Sequence, residues 1–174
     1  MINDLWEKAS KFHGHKCPGL AIGVRVCEAA MDKLNISTSK DEELVCIAEN
    51  DSCSVDAIQV LLSCSIGKGN LIYRNTGKQV YSIFNRATNE SIRIYFHGHS
   101  NGMDRESFQN YILNGPIDEL LSFSKVKVSL PEKARHFKNE VCSKCGEEMA
   151  ECKAHIENGE IVCIDCFESY SRGW

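Results

Sequence analysis

The chain has 174 residues, 43% of them apolar, which suits one medium-sized domain with its own core and a small second one. Its 20 basic residues are outnumbered by 24 acidic ones, and the net charge of −4 argues against broad binding to nucleic acid or membrane surfaces. No apolar stretch approaches the roughly 18 residues of a membrane span, and the N-terminus lacks a signal pattern, so we expect a cytoplasmic protein.

Cysteine is the residue type whose distribution is most informative. Ten cysteines without a signal sequence favour reduced thiols and metal sites over a disulfide framework. Five lie between residues 17 and 64, five lie between residues 142 and 166, and none lies between these groups. The sequence therefore predicts two separate chemical centres.

The first centre is predicted where a short helix, ending at about Lys11, is followed by His13, His15 and Cys17. These three residues alternate, so an extended backbone would place their side chains on one face. Pro18 suits the first position of a second helix, which would make Cys17 its N-cap, where a thiolate is stabilised. We interpret the segment as a metal or thiolate site; a polar loop with capping histidines is the alternative.

The next elements are mostly structural. The second helix is predicted from residue 18 to residue 34, with Cys27 on its apolar stripe, and a buried strand from residue 44 to residue 48 contains Cys46. We expect both of these cysteines to pack in the core. A third helix begins at Ser52 or Ser54.

Cys53 lies at the start of this third helix and is the best predicted partner for His15 and Cys17. For Asp56 three roles stay open: metal ligand, holder of a water molecule, or stabiliser of the helix start. Cys64 lies about 16 Å further along an unbroken helix, so one ion cannot bind both Cys53 and Cys64. Lys68 follows in a glycine turn, as an attractor of anions or as a solvated lysine.

The rest of the first domain is predicted as antiparallel strands at residues 71–74, 79–84 and 91–96, helices at 104–114 and 117–123, and a last strand at 125–130. His97 and His99 repeat the earlier His-Gly-His pattern, either as part of the site or by coincidence. A charged linker follows. We expect an α+β, antiparallel-sheet core domain with packed helices at residues 1–133 and a zinc-ribbon domain at residues 134–174.

The second centre has the clearest motif, two CxxC knuckles separated by 17 residues. They are Cys142 with Cys145 and Cys163 with Cys166. This spacing is typical of a structural zinc site with four cysteine ligands, and Asn158-Gly159 fits the tight turn of the hairpin between the knuckles. Cys152 and His155 are predicted to lie at the surface. Acidic residues outnumber basic ones around the knuckles, so nucleic-acid binding is not expected.

Three of these stretches, residues 12–20, 49–59 and 64–70, resemble the FmdE family, which is named for one of the subunits of formylmethanofuran dehydrogenase. The resemblance covers residues 5–130, and the ribbon is similar to one carried by some members. It implies an α+β core, a homodimer, and a metal near the His/Cys motif. It does not imply that this chain is a dehydrogenase, since the pterin and iron–sulfur chemistry of that complex belongs to other subunits.

Three functional hypotheses follow. In the first, His15, Cys17 and Cys53 bind zinc or another first-row transition metal and leave one position open, with His13, Asp56 or Cys64 as proton carrier or orienting group. In the second, the chain is a non-catalytic assembly or binding subunit of a larger redox complex. In the third, one of the cysteines does thiol redox work.

Overall fold

The computed structural model describes residues 2–172, which form two compact units that divide between Ala134 and Arg135. We call them the core unit and the ribbon unit. The core unit has five helices: α1 (Ile2–His13), α2 (Pro18–Leu34), α3 (Ser54–Leu62), α4 (Arg105–Asn114) and α5 (Ile117–Leu120). Its five strands are β1 (Leu44–Ala48), β2 (Leu71–Tyr73), β3 (Val80–Asn85), β4 (Glu90–Phe96) and β5 (Leu121–Ser124).

The five strands form one sheet in the order β2-β1-β3-β4-β5. All neighbours are antiparallel except β1 and β2, which run parallel with Cys46 opposite Leu71. This parallel pair was not predicted. It is possible because α3 lies between the two strands in sequence and returns the chain to the same end of the sheet.

Helix α2 is the central helix of the core unit and contacts α1, α3 and α4. Leu20, Val24 and Cys27 are fully buried along it, and the residues between them are largely buried too, because helices surround α2 on several sides. Asn35 ends α2 in the left-handed conformation, with φ +46°. The predicted helix over residues 18–34 and the buried positions of Cys27 and Cys46 are confirmed.

The ribbon unit consists of two small hairpins joined by a 3₁₀ turn (Glu151–Lys153). Strand β6 (Asn139–Val141) pairs with β7 (Glu148–Ala150), and β8 (His155–Glu157) pairs with β9 (Glu160–Val162). Asn158 and Gly159 connect β8 to β9 with φ of +52° and +87°, as a type I′ turn requires. The predicted fold class, an antiparallel-rich α+β core followed by a small cysteine-rich ribbon, is confirmed.

Two predicted elements are wrong. Residues 125–130 form no strand, since the last strand of the sheet, β5, ends at Ser124 after pairing with β4. The first helix does not stop near Lys11 but continues to His13. Within residues 2–172, the helices are all too short or too polar to cross a membrane.

Two candidate metal centres

The first cluster lies in the core unit and consists of His13, His15, Cys17 and Cys53. Each residue offers one ligand atom, and these four atoms all lie within 4.8 Å of one another. They come from the end of α1, the loop after it, and the starts of α2 and α3. We call this group the core cluster.

Cys17 is the N-cap of α2 and is buried. Its backbone is extended, with φ −154° and ψ 159°, and its Sγ accepts a hydrogen bond from the backbone N–H of Leu20 at 3.3 Å. Pro18 occupies the first helical turn, where its missing N–H is not needed. The sulfur is therefore held at the positive end of α2, in an environment that favours a thiolate.

His13 is the last residue of α1, and its ring is oriented from both sides. Its Nδ1 lies 2.7 Å from Asp56 Oδ2 in α3, and its Nε2 lies 3.9 Å from Cys17 Sγ. The second oxygen of Asp56 accepts a hydrogen bond from Gln59 Nε2 at 3.0 Å. Because a carboxylate accepts from Nδ1–H, Nε2 is left as the ligand atom facing the cluster.

His15 is the exposed member of the core cluster. Gly14 adopts φ +87°, a conformation that lets the chain leave α1 and turn His15 back until its ring centroid is 4.3 Å from that of His13. The extended backbone predicted for residues 13–17 is therefore wrong: a helix end and a glycine turn bring the side chains together instead.

Cys53 directly precedes α3, but its side chain caps no N–H group there. Burial raises the pKa of the Cys53 thiol, and the neighbouring Cys17 side chain raises it further. This reverses the expectation that the start of α3 stabilises the Cys53 thiolate. A cation bound at the core cluster would displace the Cys53 proton and compensate for that cost.

A polar network fixes the segment that carries Cys53. Ser52 Oγ donates to Asn50 Oδ1 at 2.7 Å and lies 2.7 Å from Ser54 Oγ. The buried Ser54 hydroxyl also contacts the hydroxyl of Tyr81, which donates to Gln79 Oε1 at 2.9 Å. The start of α3 is thus anchored to β3 through side chains on both sides of Cys53.

The donor set of the core cluster suits a metal ion. Two sulfurs and two imidazole nitrogens are ligands for zinc and for later first-row metals, and the carboxylate behind His13 is the usual partner of a ligating histidine. Around a tetrahedral ion, donor atoms lie about 3.5–3.8 Å apart, close to the 3.9 Å between His13 Nε2 and Cys17 Sγ. Small rotations of the side chains are enough to close the site.

The other predicted core residues lie elsewhere. Cys64 is buried, with its Sγ 3.8 Å from the carbonyl oxygen of Leu44, and burial raises its pKa to about 12. Lys68 Nζ lies 3.4 Å from the carbonyl oxygen of Asp41. His97 and His99 follow β4 and are not among the four residues of the core cluster.

The second cluster lies in the ribbon unit and consists of Cys142, Cys145, Cys163 and Cys166, with sulfur atoms all within 4.8 Å of one another. Backbone N–H groups of this unit, including that of Cys163 at 3.3 Å, point at Cys142 Sγ and lower the pKa of Cys142 to about 6. Hydrogen bonding with Cys163 raises the pKa of Cys166 to about 12. Four sulfurs at this separation match a closed structural site.

Cys152 and His155 do not join the sulfur cluster. Cys152 is exposed in the 3₁₀ turn, and the His155 ring stacks on Phe167 with ring centroids 4.5 Å apart. Lys144 supports the knuckles instead: its Nζ donates to the carbonyl oxygen of Cys166 at 3.0 Å and pairs with Glu157.

The fold and the two clusters define a protein with two candidate metal centres, one in an α+β core and one in a cysteine ribbon. The family model described as "FmdE, Molybdenum formylmethanofuran dehydrogenase operon" matches residues 12–122. The chain belongs to this FmdE family.

Two related proteins extend the comparison. A probable S-adenosyl-L-methionine-binding protein of Archaeoglobus fulgidus is 28% identical over an alignment of 201 residues, which covers 97% of this chain and 54% of that protein. The chain thus spans about half the length of this relative. The crystal structure of a tungsten formylmethanofuran dehydrogenase FmdE-like protein from Syntrophus aciditrophicus has a TM-score of 0.69 at 23% identity, over 95% of this chain and 91% of that one, and supports the fold.

Proposed function

We propose that the chain is a metalloprotein whose core cluster binds one first-row transition metal ion, with zinc as the first candidate, and whose ribbon binds a structural zinc ion. The observation that carries this proposal is the convergence of two cysteines and two histidines from four separate places in the chain. Each member of the core cluster is held by a different local device, and each points a soft or borderline ligand atom inwards.

The four side chains have different roles in this proposal. Cys17 and Cys53 are the anionic ligands, and His13 is the buried imidazole, oriented by Asp56. His15 is the exposed ligand and therefore the one whose departure opens a position to solvent or substrate. An ion with such an open position supplies Lewis-acid chemistry when bound.

Metal content per chain, measured on purified protein by elemental analysis, tests the proposal. We expect two ions in the natural protein, one in the double variant Cys17→Ser/Cys53→Ser, and one in Cys142→Ser/Cys145→Ser. Cys152→Ser is the matched control, since this exposed cysteine belongs to neither cluster, and it should retain two ions. Two ions in the Cys17→Ser/Cys53→Ser variant would refute the core site.

Partner binding is the second candidate function, as a homodimer or as a subunit of a redox complex. The observation in its favour is that the ribbon unit exposes large apolar side chains, with Ile156 at 66% and Ile164 at 62% exposure. Sedimentation velocity over a range of concentrations tests self-association directly. A dimer that dissociates in Ile156→Ser/Ile164→Ser would assign the ribbon to the interface, whereas a monomer at all concentrations would exclude the homodimer.

A further inference from the structure

A groove of about 620 Å³ adjoins the exposed side of the core cluster. Its lining includes Lys8, Ser10, Lys11, Gly14, His15 and Lys16. We propose that this groove, called here the lysine groove, binds a small anionic molecule carrying carboxylate or phosphate groups beside the core metal ion. The inference rests on the proposed function and adds to it the chemical class of the ligand.

The charges of the lysine groove run opposite to those of the whole chain, whose net charge is −4. Lys8 and Lys11 are exposed and have no ion-pair partner within residues 2–172. Lys16 pairs with Glu7, the acidic residue of the lining, and so is already neutralised. Two uncompensated lysines facing one concave surface attract a ligand of more than one negative charge.

The positive region continues beyond Lys16. A neighbouring groove of about 330 Å³ is lined by Lys16 and Arg105, and Arg105 has no ion-pair partner in the described part of the chain. Glu106 also lines this second groove, so its net contribution is smaller than that of the lysine groove. The excess of positive charge is therefore centred on Lys8 and Lys11.

Ser10 adds an observation that is independent of charge. It is only 9% exposed, and its hydroxyl has no hydrogen-bond partner among residues 2–172. A buried hydroxyl without a partner is unfavourable by about 1–3 kcal/mol. An oxygen atom of a bound carboxylate or phosphate supplies the acceptor that the protein itself does not.

His15 connects the lysine groove to the core cluster because it belongs to both. An anion in the groove therefore lies next to the exposed ligand of the proposed ion. The volume is within the range of ligand pockets and suits a small molecule, while its open, charged lining suits a polar one. The C-terminal end of α1 carries partial negative charge, so side chains rather than helix amides must hold the anion.

Isothermal titration calorimetry of the full, metal-loaded chain with inorganic phosphate and with citrate tests this inference. We expect Lys8→Gln/Lys11→Gln to weaken the binding of the preferred anion about tenfold. The matched control Lys125→Gln/Lys127→Gln removes the same charge from exposed positions outside the groove and should weaken binding less than about twofold. Equal weakening in both variants, or no binding of either anion to the natural protein, would overturn the proposal.

Two further measurements separate the possible failures. Lys11 also lies in the last turn of α1, where a cation stabilises the helix, so thermal unfolding of the variant is compared with that of Lys8→Gln alone, which must show at least half of the binding loss in free energy. Metal content is determined on the same samples. One ion per chain with lysine-dependent anion binding refutes the core metal site alone, whereas two ions per chain with lysine-independent binding refutes the lysine groove alone.

Discussion

Gly23 in α2 and Ser54 in α3 meet through their backbones. A β-carbon at Gly23 would lie 2.2 Å from the carbonyl oxygen of Ser54 and 2.7 Å from its Cα. One turn earlier, a β-carbon at Gly19 would lie 3.3 Å from Cys53 Cβ. This close crossing of α2 and α3 places the starts of the two helices, and with them Cys17 and Cys53, side by side.

Gly23→Ala should therefore destabilise the protein and weaken the core metal site together. Since the added methyl meets backbone atoms that cannot rotate away, we expect a loss of at least about 2 kcal/mol in the free energy of unfolding, measured by urea denaturation. Gly67→Ala is the control, because no atom lies within 4 Å of the position of its β-carbon. Equal stability of Gly23→Ala and the natural protein would show that the helices separate at little cost.

The contact between His13 and Asp56 leads to a second prediction. Asp56→Asn removes the charge that fixes the His13 ring, so we expect the affinity of the core cluster for zinc to fall by about 10–100-fold. Competition with a chromophoric chelator measures this affinity, and the ribbon site serves as the internal reference. Asp51→Asn, the same change on a nearby residue whose carboxylate contacts Tyr73 rather than His13, should leave the affinity unaltered.

How far the core cluster could be predicted depended on the kind of signal. Spacing and capping chemistry are local, so Pro18 identified the start of α2 and thereby the position of Cys17. The approach of α3 to α2 is a tertiary contact that depends on Gly23, and one glycine within an apolar helix pattern does not say what packs against it. For the same reason, the hydrogen bond that selects among the three roles left open for Asp56 was beyond sequence patterns.

The sheet shows the same division. The hairpin of β3 and β4 follows from alternation and a short turn, but the partner of β2 is set by how α3 returns the chain. The lysine groove was missed altogether. Lys8 and Lys11 lie on a helix whose charged residues look like an ordinary solvated face, and only the turn at Gly14 makes that face concave.

Glu43 provides a prediction on pH. Hydrogen bonds from the Ser39 hydroxyl and nearby backbone N–H groups lower the pKa of this carboxyl to about 2. The unfolded chain has a glutamate pKa of about 4.3, so the folded state holds its proton less tightly and the stabilisation from Glu43 is fully present above that value. It is lost as the pH falls from about 4.5 towards 2.

Glu43→Gln should accordingly lower the melting temperature at pH 7 and have a smaller effect at pH 2.5, where the natural carboxyl is largely protonated in the unfolded chain. The comparison is made against Glu90→Gln, an exposed glutamate whose carboxylate accepts no hydrogen bond within residues 2–172. This control removes any common loss of metal at acid pH. A Glu43→Gln effect that is constant between the two pH values would contradict the prediction.

The contact between Ser54 and Tyr81 gives the last prediction, because it anchors the segment of Cys53 to the sheet. Both side chains are fully buried, and burial raises the pKa of Tyr81 to about 12, so its hydroxyl stays neutral in ordinary buffers. Tyr81→Phe removes a donor to Gln79 and a partner of Ser54, which should cost about 1–2 kcal/mol of unfolding free energy. The cost should not vary between pH 6 and pH 9.

A double-mutant cycle of Ser54→Ala and Tyr81→Phe isolates the contact itself. If the two hydroxyls stabilise each other, the double variant should be more stable than the sum of the single effects predicts, by about 1 kcal/mol. Zinc affinity of the core cluster, measured on the same four proteins, should fall most in Ser54→Ala, since Ser54 directly follows Cys53 and also contacts Ser52. Strictly additive stabilities would mean that the segment of Cys53 is held by backbone packing at Gly23 rather than by this hydroxyl pair.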